Sequence, residues 1–318
     1  MKKTINSIVV FLALGFCLFA GPSAVGASPL QMSLVPADAL WVIHFDMERF
    51  TSTAMFKMLM DEEGAAKLQH RADNLSQKFH IDLQKDIKGI TLYGRGKGEE
   101  DAVVAVSGTF DKAYLLGLLK MDADHKELTY GKHTIYVWDG DHAGVFATDN
   151  LILLSEKQAN LQSALDVLDG KTKAISGSSM IGRIAKESPN SVVAAAASDI
   201  SGMLGARQKP VILSKMKTAG MAFAEVGDVA SLKINIAAES KEVAKELEQA
   251  IRGLIAMANL QLPDADAQLL TQSINVAVDG ENVRIDASYP IRKMIELLKK
   301  RGALPHLSLD KFSPLSYY

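Results

Sequence analysis

The sequence predicts an α+β fold of two similar units, each a mainly antiparallel sheet with helices packed on one face. Three observations lead to this prediction. Short β-rich runs are joined by tight turns, amphipathic helices separate these hairpins, and the order of elements recurs along the 318 residues. The predicted divisions are a signal peptide at 1–27, a first unit at 28–170, a linker with a short helix at 171–188, a second unit at 189–302 and a mobile tail at 303–318.

The first unit opens with a predicted strand at 41–45, which Asp46 ends. A helix capped by Thr51 or Ser52 and a second helix at 64–78 follow. Strands at 87–93 and 102–106 flank Gly94 to Gly98, which we interpret as a turn because the acidic residues after it would repel phosphate. Asp111 caps a short helix, and the predicted elements after it are strands at 133–138, 143–147 and 151–154 and a helix at 156–168.

The second unit is predicted to follow a similar order. A strand at 191–197 precedes a largely helical segment at 200–216. Two hairpins then flank the longest helix, at 241–260, whose apolar stripe predicts packing across a sheet. The hairpin strands are predicted at 221–226, 231–237, 274–278 and 283–287, and a last helix begins at Pro290.

Two spacings indicate an internal repeat. Pro36 precedes Asp46 by ten residues, Pro189 precedes Asp199 by ten, and an apolar strand fills each interval. Gene duplication explains this order, and the alternative is a chance recurrence of hairpins and helices, which are common in α+β chains.

The segment VPADALWVIHFDMERFTSTAMFKML, within residues 34–60, resembles the start of exported bacterial proteins of unknown function. The shared features are a Pro-x-Asp turn, a strand that ends in Asp and a Ser/Thr-rich helix start. The resemblance implies an exported α+β protein with repeated units and no established activity. It carries over no catalytic residues.

The N-terminus has the three parts of a signal peptide. Lys2 and Lys3 precede an apolar run at 8–20, and Val25-Gly26-Ala27 supplies small residues for cleavage after Ala27. We therefore expect a periplasmic or secreted protein. The alternatives are an uncleaved anchor and a lipoprotein modified at Cys17, although the bulky residue before this cysteine disfavours lipidation.

Composition narrows the chemistry of the exported chain. Cys17, the only cysteine, lies in the predicted signal, so the mature chain has no thiol for a disulfide, a zinc site or a nucleophile. The net charge of −2 becomes −4 when the two signal lysines are removed. This balance argues against a nucleic-acid partner. No second apolar run is long enough for a transmembrane segment, and no cofactor is predicted.

Two groups of polar residues are candidate sites. Histidine and carboxylate ligands could hold a divalent metal where adjacent strands meet, although Asp and Gly in that region also suit a hairpin turn. The candidate ligands are Asp122, Asp124, His125, His133, Asp139, Asp141 and His142. His44 and Asp46 lie two apart on the first strand, where they would face the same side and leave His44 half-exposed.

The sequence therefore favours a non-enzymatic binding or interaction protein of the envelope, whose partner is another envelope protein, a peptide or a small apolar ligand. The alternative is a hydrolase with an Asp/His site, acting with or without a metal ion. A concave apolar groove would favour a lipid or peptide binder, whereas a cleft with paired carboxylates would favour the enzyme.

Overall fold

The structure is a computed structural model, and the chain divides into two compact units. The structure describes residues 28–60, 73, 76–96, 98–138, 142–198, 215–261 and 265–300. Of these, 28–39 and 44–175 belong to the first unit, and 40–43 and 176–300 belong to the second. No helix in the described ranges has the length and apolar character needed to cross a bilayer. The predicted signal peptide and tail lie outside the described residues.

The first unit combines a sheet with short helices. Its strands are β1 (Trp41–Asp46, of which residues 44–46 belong to this unit), β2 (Ile87–Gly94), β3 (Ala102–Gly108), β4 (Lys126–Tyr130), β5 (His133–Trp138), β6 (His142–Thr148) and β7 (Leu151–Ser155). Its helices are α1 (Met47–Phe50), α2 (Ala54–Met60), α3 (Lys112–Lys120) and α4 (Gln158–Leu168). Two 3-10 turns occupy Met32–Leu34 and Glu99–Asp101.

Side-chain oxygens fix where the helices of this unit begin. The Asp46 carboxylate accepts from the backbone N–H of Arg49 at 2.8 Å, and the Thr53 hydroxyl accepts from that of Phe56 at 3.0 Å. Thr53, rather than the predicted Thr51 or Ser52, therefore caps α2. The predicted cap of α3 is confirmed, because Asp111 accepts from the backbone of Tyr114 at 2.9 Å.

The strands of the first unit lie in the order β1-β2-β3-β7-β6-β5-β4. The successive pairs from β2 to β4 are antiparallel. Helix α4 packs against β3, β5, β6 and β7. Its Leu161 and Leu165 are completely buried, so this helix closes one face of the sheet.

The second unit also combines a sheet with helices. Its strands are β8 (Ser191–Ser198), β9 (Met216–Val226), β10 (Val229–Ala238), β11 (Asn275–Asp279) and β12 (Asn282–Pro290). Its helices are α5 (Met180–Glu187), α6 (Lys241–Gln261), α7 (Ala265–Gln272) and α8 (Ile291–Lys300). Val243 and Leu247 of α6 join a core with Val276 and Val283, whereas Leu254 of the predicted stripe is 65% exposed.

The two strand orders correspond. The second unit reads β8-β9-β10-β12-β11, which matches β1-β2-β3-β7-β6 of the first, and the first adds β5 and β4 beyond this set. In both units, a helix follows each of the two hairpins: α3 and α4 in the first, α6 and α8 in the second. For α6, however, α7 intervenes before the next strand.

The predicted α+β class with mainly antiparallel strands is confirmed. Some elements differ from prediction. The helix predicted to reach Met216 is wrong at that residue, which begins β9, and 199–214 lie outside the described residues. Most of the predicted helix at 64–78 also lies outside them. Helix α5 packs against β8 and β9, so this part of the predicted linker belongs to the second unit.

Candidate ligand-binding cavity

Helix α3 carries an apolar face that does not close against the sheet. Its sequence KAYLLGLLK places leucines at the i, i+1, i+3 and i+4 positions of one face. Yet no residue of this helix is fully buried. Leu115, Leu116, Leu118 and Leu119 instead line a cavity.

The sheet supplies the facing wall of this cavity. Val106 on β3 and Phe146 on β6 both lie beside Ile152 of β7, in antiparallel register. On the next row, Gly144 lies between Tyr136 and Leu154. Successive residues of a strand point to opposite faces, so these rows form one apolar surface. No residue of α4 lines the cavity.

The cavity has a volume of about 150 Å³. Engineered apolar cavities of roughly this size stay dry and bind benzene. Among the described residues that line it, none has an acidic, basic or imidazole side chain. Tyr136 and Trp138 supply the polar side-chain atoms, and the remaining side chains of the lining are aliphatic or phenyl groups. Water therefore has few partners inside the cavity, and an apolar group is the better occupant.

Trp138 is held in the wall by close packing. It is 5% exposed, and its Nε1 is buried without a hydrogen-bond partner among the described residues. A Cβ on Gly144 would lie 3.1 Å from the six-membered ring of Trp138 and 3.0 Å from Leu154. Glycine at 144 thus leaves room for the Trp138 ring.

An aromatic stack joins α3 to the segment before β2. Tyr114 lies on the ring of His80, with centroids 3.7 Å apart and planes 8° from parallel. The Tyr114 hydroxyl also donates to the backbone oxygen of Lys78 at 3.3 Å. Phe79 and Ile81 flank His80 and line the cavity, so the stack positions two of its wall residues.

A polar pocket of about 320 Å³ shares Tyr136 and Phe146 with the apolar cavity. Its other residues are Lys112, Lys132, His133, Thr134, Ala147, Thr148 and Asp149. Lys112 Nζ lies 5.4 Å from the centroid of the Phe146 ring. A cation at this distance from an aromatic face is stabilised by the ring quadrupole. The shared residues therefore stand between an apolar site and a cationic one.

The charges of the polar pocket differ in how they are paired. Asp169 accepts from His133 Nε2 at 3.1 Å and pairs with Lys132 Nζ at 3.0 Å. These two contacts, the His133 hydrogen bond first, lower the pKa of Asp169 from its ordinary value. No carboxylate of the described residues lies within ion-pair distance of Lys112, although Asp149 lines the same pocket. Lys112 is the lysine best placed to meet an anion.

Within the described ranges, the predicted metal ligands are not grouped into a metal site. Asp122 accepts from the backbone of Asp124, and His125 Nδ1 donates to the Asp122 carbonyl at 2.8 Å, so these residues form a turn. Asp139 and Asp141 lie outside the described residues. Among the described residues, His142 included, no three histidine or carboxylate side chains are grouped as metal ligands.

The predicted arrangement of β1 was wrong. Val42, His44 and Asp46 are buried, whereas Trp41, Ile43 and Phe45 are half-buried. His44 is only 5% exposed and Asp46 only 2%. Burial of both side chains is possible because each is hydrogen-bonded to the backbone of Ser28. Both therefore serve the internal structure of the first unit.

Sequence reasoning missed the cavity itself. The sequence predicted a short helix after its Asp111 cap, but a leucine-rich face is also typical of a helix that packs closely on a sheet. The neighbourhood of Lys112 and Phe146 depends on the pairing of β6 with β7, and no local motif encodes it. The one available signal was the concentration of leucines on a helix of only nine residues.

Comparison with protein-family models and with curated proteins gives no match. Two solved structures of TP0453 are similar in fold. Crystal form III has a TM-score of 0.48 at 10% identity, covering 86% of this chain and 99% of that one. Crystal form IV has a TM-score of 0.47 at 9% identity, covering 86% and 97%. Likeness at this level carries no argument about function.

Proposed function

We propose that this protein is exported and binds a small apolar ligand in the cavity of its first unit, without catalysing a reaction. The observation that carries the proposal is a cavity of about 150 Å³ between two apolar faces, one on α3 and one on the sheet. Packing these faces together would stabilise the fold by burying apolar area, at about 25 cal/mol per Å². A ligand between them recovers the same stabilisation on binding.

The adjoining polar pocket narrows the ligand to an amphiphile with an anionic end. An apolar body in the cavity would reach the polar pocket past Tyr136 and Phe146, which line both. An acidic head group would there meet Lys112. A medium-chain carboxylate combines an apolar body for the cavity with an anionic end for the polar pocket.

The alternative of a hydrolase gains no support from this cavity. General acid–base chemistry needs a titratable group within hydrogen-bond reach of the reacting atoms. The described residues that line the apolar cavity include no carboxylate or histidine. His133 lines the polar pocket, but its Nε2 is bonded to Asp169.

The same proposal includes three further statements. The protein is exported, it belongs to the family that the N-terminal segment resembles, and its two units arose by internal duplication. Export is supported by the charged start, apolar run and small residues of the first 27 positions. Duplication is supported by the matching strand orders β1-β2-β3-β7-β6 and β8-β9-β10-β12-β11. Such a repeat gives two related sheets, of which the first carries the cavity.

Titration with 1-octanol tests the binding proposal. In the variant Trp41→Phe, Trp138 is the single tryptophan, because the chain has two. Trp138 lines the cavity, so we expect a saturable change in its fluorescence and a rise in melting temperature with octanol concentration. A titration in which neither quantity changes contradicts the proposed function.

The variant Lys112→Gln tests the anionic end of the ligand. Octanoate and octanol have the same chain and differ in charge. Because Lys112 is exposed, its contribution is that of a solvated ion pair, about 1 kcal/mol or fivefold in affinity. We expect Lys112→Gln to weaken octanoate binding about fivefold and to leave octanol binding unchanged, as measured by calorimetry.

Two matched variants complete this experiment. Asp149→Asn removes an acid of the polar pocket, so we expect tighter octanoate binding. Lys126→Gln removes an exposed lysine that lines neither pocket and should leave both probes unaffected. Equal loss of octanol and octanoate affinity in Lys112→Gln would show that the lysine supports the wall and does not contact a charge.

A further inference from the structure

A second polar site in the first unit is formed by residues that do not line the cavity. Ser28 donates its backbone N–H to Asp46 Oδ2 at 3.1 Å. His44 Nε2 donates to the Ser28 carbonyl at 2.8 Å. His44 therefore has its proton on Nε2, and its Nδ1 accepts from the Thr91 hydroxyl at 2.9 Å. Both backbone groups of Ser28 are bound by buried side chains.

The site is also shaped around the side chain of Ser28. A Cβ on Gly89 would come within 2.7 Å of the Ser28 hydroxyl. Glycine at 89 leaves room for this hydroxyl, which lies 3.3 Å from that of Ser107. Ser107 in turn donates to the Gly89 carbonyl at 3.1 Å. We call Asp46, His44, Gly89 and Ser107 the Ser28 site.

The carboxylate of the Ser28 site belongs to Asp46. Burial lowers the pKa of His44 from its ordinary value, so this imidazole is neutral near pH 7. Arg49 is the cation at the Asp46 carboxylate, with its Nε 3.3 Å from Oδ2. The same oxygen faces the nitrogen of Ser28. A carboxylate that is 2% exposed gains from a second cation, because water reaches it poorly.

Ser28 is also the residue that the signal sequence predicts as the first of the mature chain. We propose that the Ser28 site binds the new N-terminal ammonium after cleavage, so that processing completes the first unit. The inference rests on the proposed export. Water adds across the peptide bond between Ala27 and Ser28, Ala27 leaves with a carboxylate, and the Ser28 nitrogen becomes an ammonium. The neutral donor to Asp46 is thereby replaced by a charged one.

This replacement explains why a buried histidine and a buried carboxylate converge on one residue near the chain terminus. A hydrogen bond to a charged group is stronger than one between neutral groups. Retention of Ala27 would keep the nitrogen of Ser28 as a neutral amide. The first unit of an unprocessed chain should therefore be less stable than that of the processed chain.

Chemical denaturation of four chains tests the inference. Two begin at Ser28 and two begin one residue earlier at Ala27, and each pair is made with Asp46 and with Asp46→Asn. With Asp46 present, we expect the added residue to lower the equilibrium constant for folding about tenfold. In the Asp46→Asn background the same addition should have little effect. An equal loss in both backgrounds overturns the inference, since it shows crowding without a charge interaction.

Acetylation of the Ser28 nitrogen provides a second measurement if Asp46→Asn does not fold. It removes the ammonium and leaves Asp46 intact, so we expect about the same tenfold loss. Unchanged stability overturns the inference. Determining the N-terminal residue of the protein isolated from cells distinguishes failure of this inference from failure of the proposed export. A chain that begins at Ser28 supports both, one cut elsewhere overturns the Ser28 site alone, and one that keeps residues 1–27 overturns both.

Discussion

Leu116→Trp is expected to weaken octanol binding at least tenfold and to leave the fold intact. Leu116 is half-buried on α3 and lines the cavity. An indole is larger than benzene, which occupies an apolar cavity of about 150 Å³, so the new side chain takes the place of the ligand. Burial of its apolar area offsets the strain of a larger residue, and we expect a melting temperature equal to or above that of the native chain.

The matched control is Leu128→Trp. Leu128 is also half-buried, but it lies on β4 and lines neither pocket. Isothermal titration calorimetry is the suitable measurement, because the added tryptophan complicates fluorescence. Full octanol affinity in a folded Leu116→Trp protein would show that the ligand binds elsewhere.

The elements around the cavity differ in how well the sequence predicts them. Helix α3 was predicted with its Asp111 cap, because a capping side chain and an apolar face are local features. Strand β4 was not predicted. Its sequence KELTY is largely exposed and lies at the end of the strand order, so it lacks the apolar alternation of a buried strand.

The candidate sites also differ from prediction where a contact joins residues that are distant in sequence. Sequence reasoning grouped His133 with Asp139 and His142 because they are close along the chain. The structure pairs His133 with Asp169, 36 residues away, and this contact depends on the packing of α4 beside the sheet. His44 was expected to be half-exposed because a polar residue on an apolar strand usually faces water. Its partners, Ser28 and Thr91, are distant in sequence, and only the fold shows that they satisfy it.

The cavity is a property of packing that residue types do not determine. The leucines of α3 and the valine, isoleucine and phenylalanine of the sheet would serve equally well in a closed core. The segment before β2 and the turn after β3 supply further lining residues, Phe79, Ile81, Leu83 and Phe110. Gly108, the last residue of β3, lies at this point.

Gly108→Ala is therefore expected to destabilise the protein by about 3 kcal/mol and to weaken octanol binding. A Cβ at this position would overlap the backbone oxygen of Asp86 and lie 3.2 Å from the ring of Phe110. The Asp86 oxygen also accepts from the backbone of Thr109 at 2.8 Å, so it is not free to withdraw. Either the 83–87 segment or Phe110 must move, and both line the cavity.

Gly117→Ala makes the same chemical change with the opposite expected sign. Gly117 lies within α3, and its added Cβ would meet no atom within 4 Å. Alanine is favoured over glycine in a helix interior by about 1 kcal/mol, so we expect a gain in stability of that order. Denaturant unfolding of the two variants measures both effects. If Gly108→Ala were as stable as Gly117→Ala, the close approach of β3 to Asp86 would not hold. Gly108 would then not position the cavity wall.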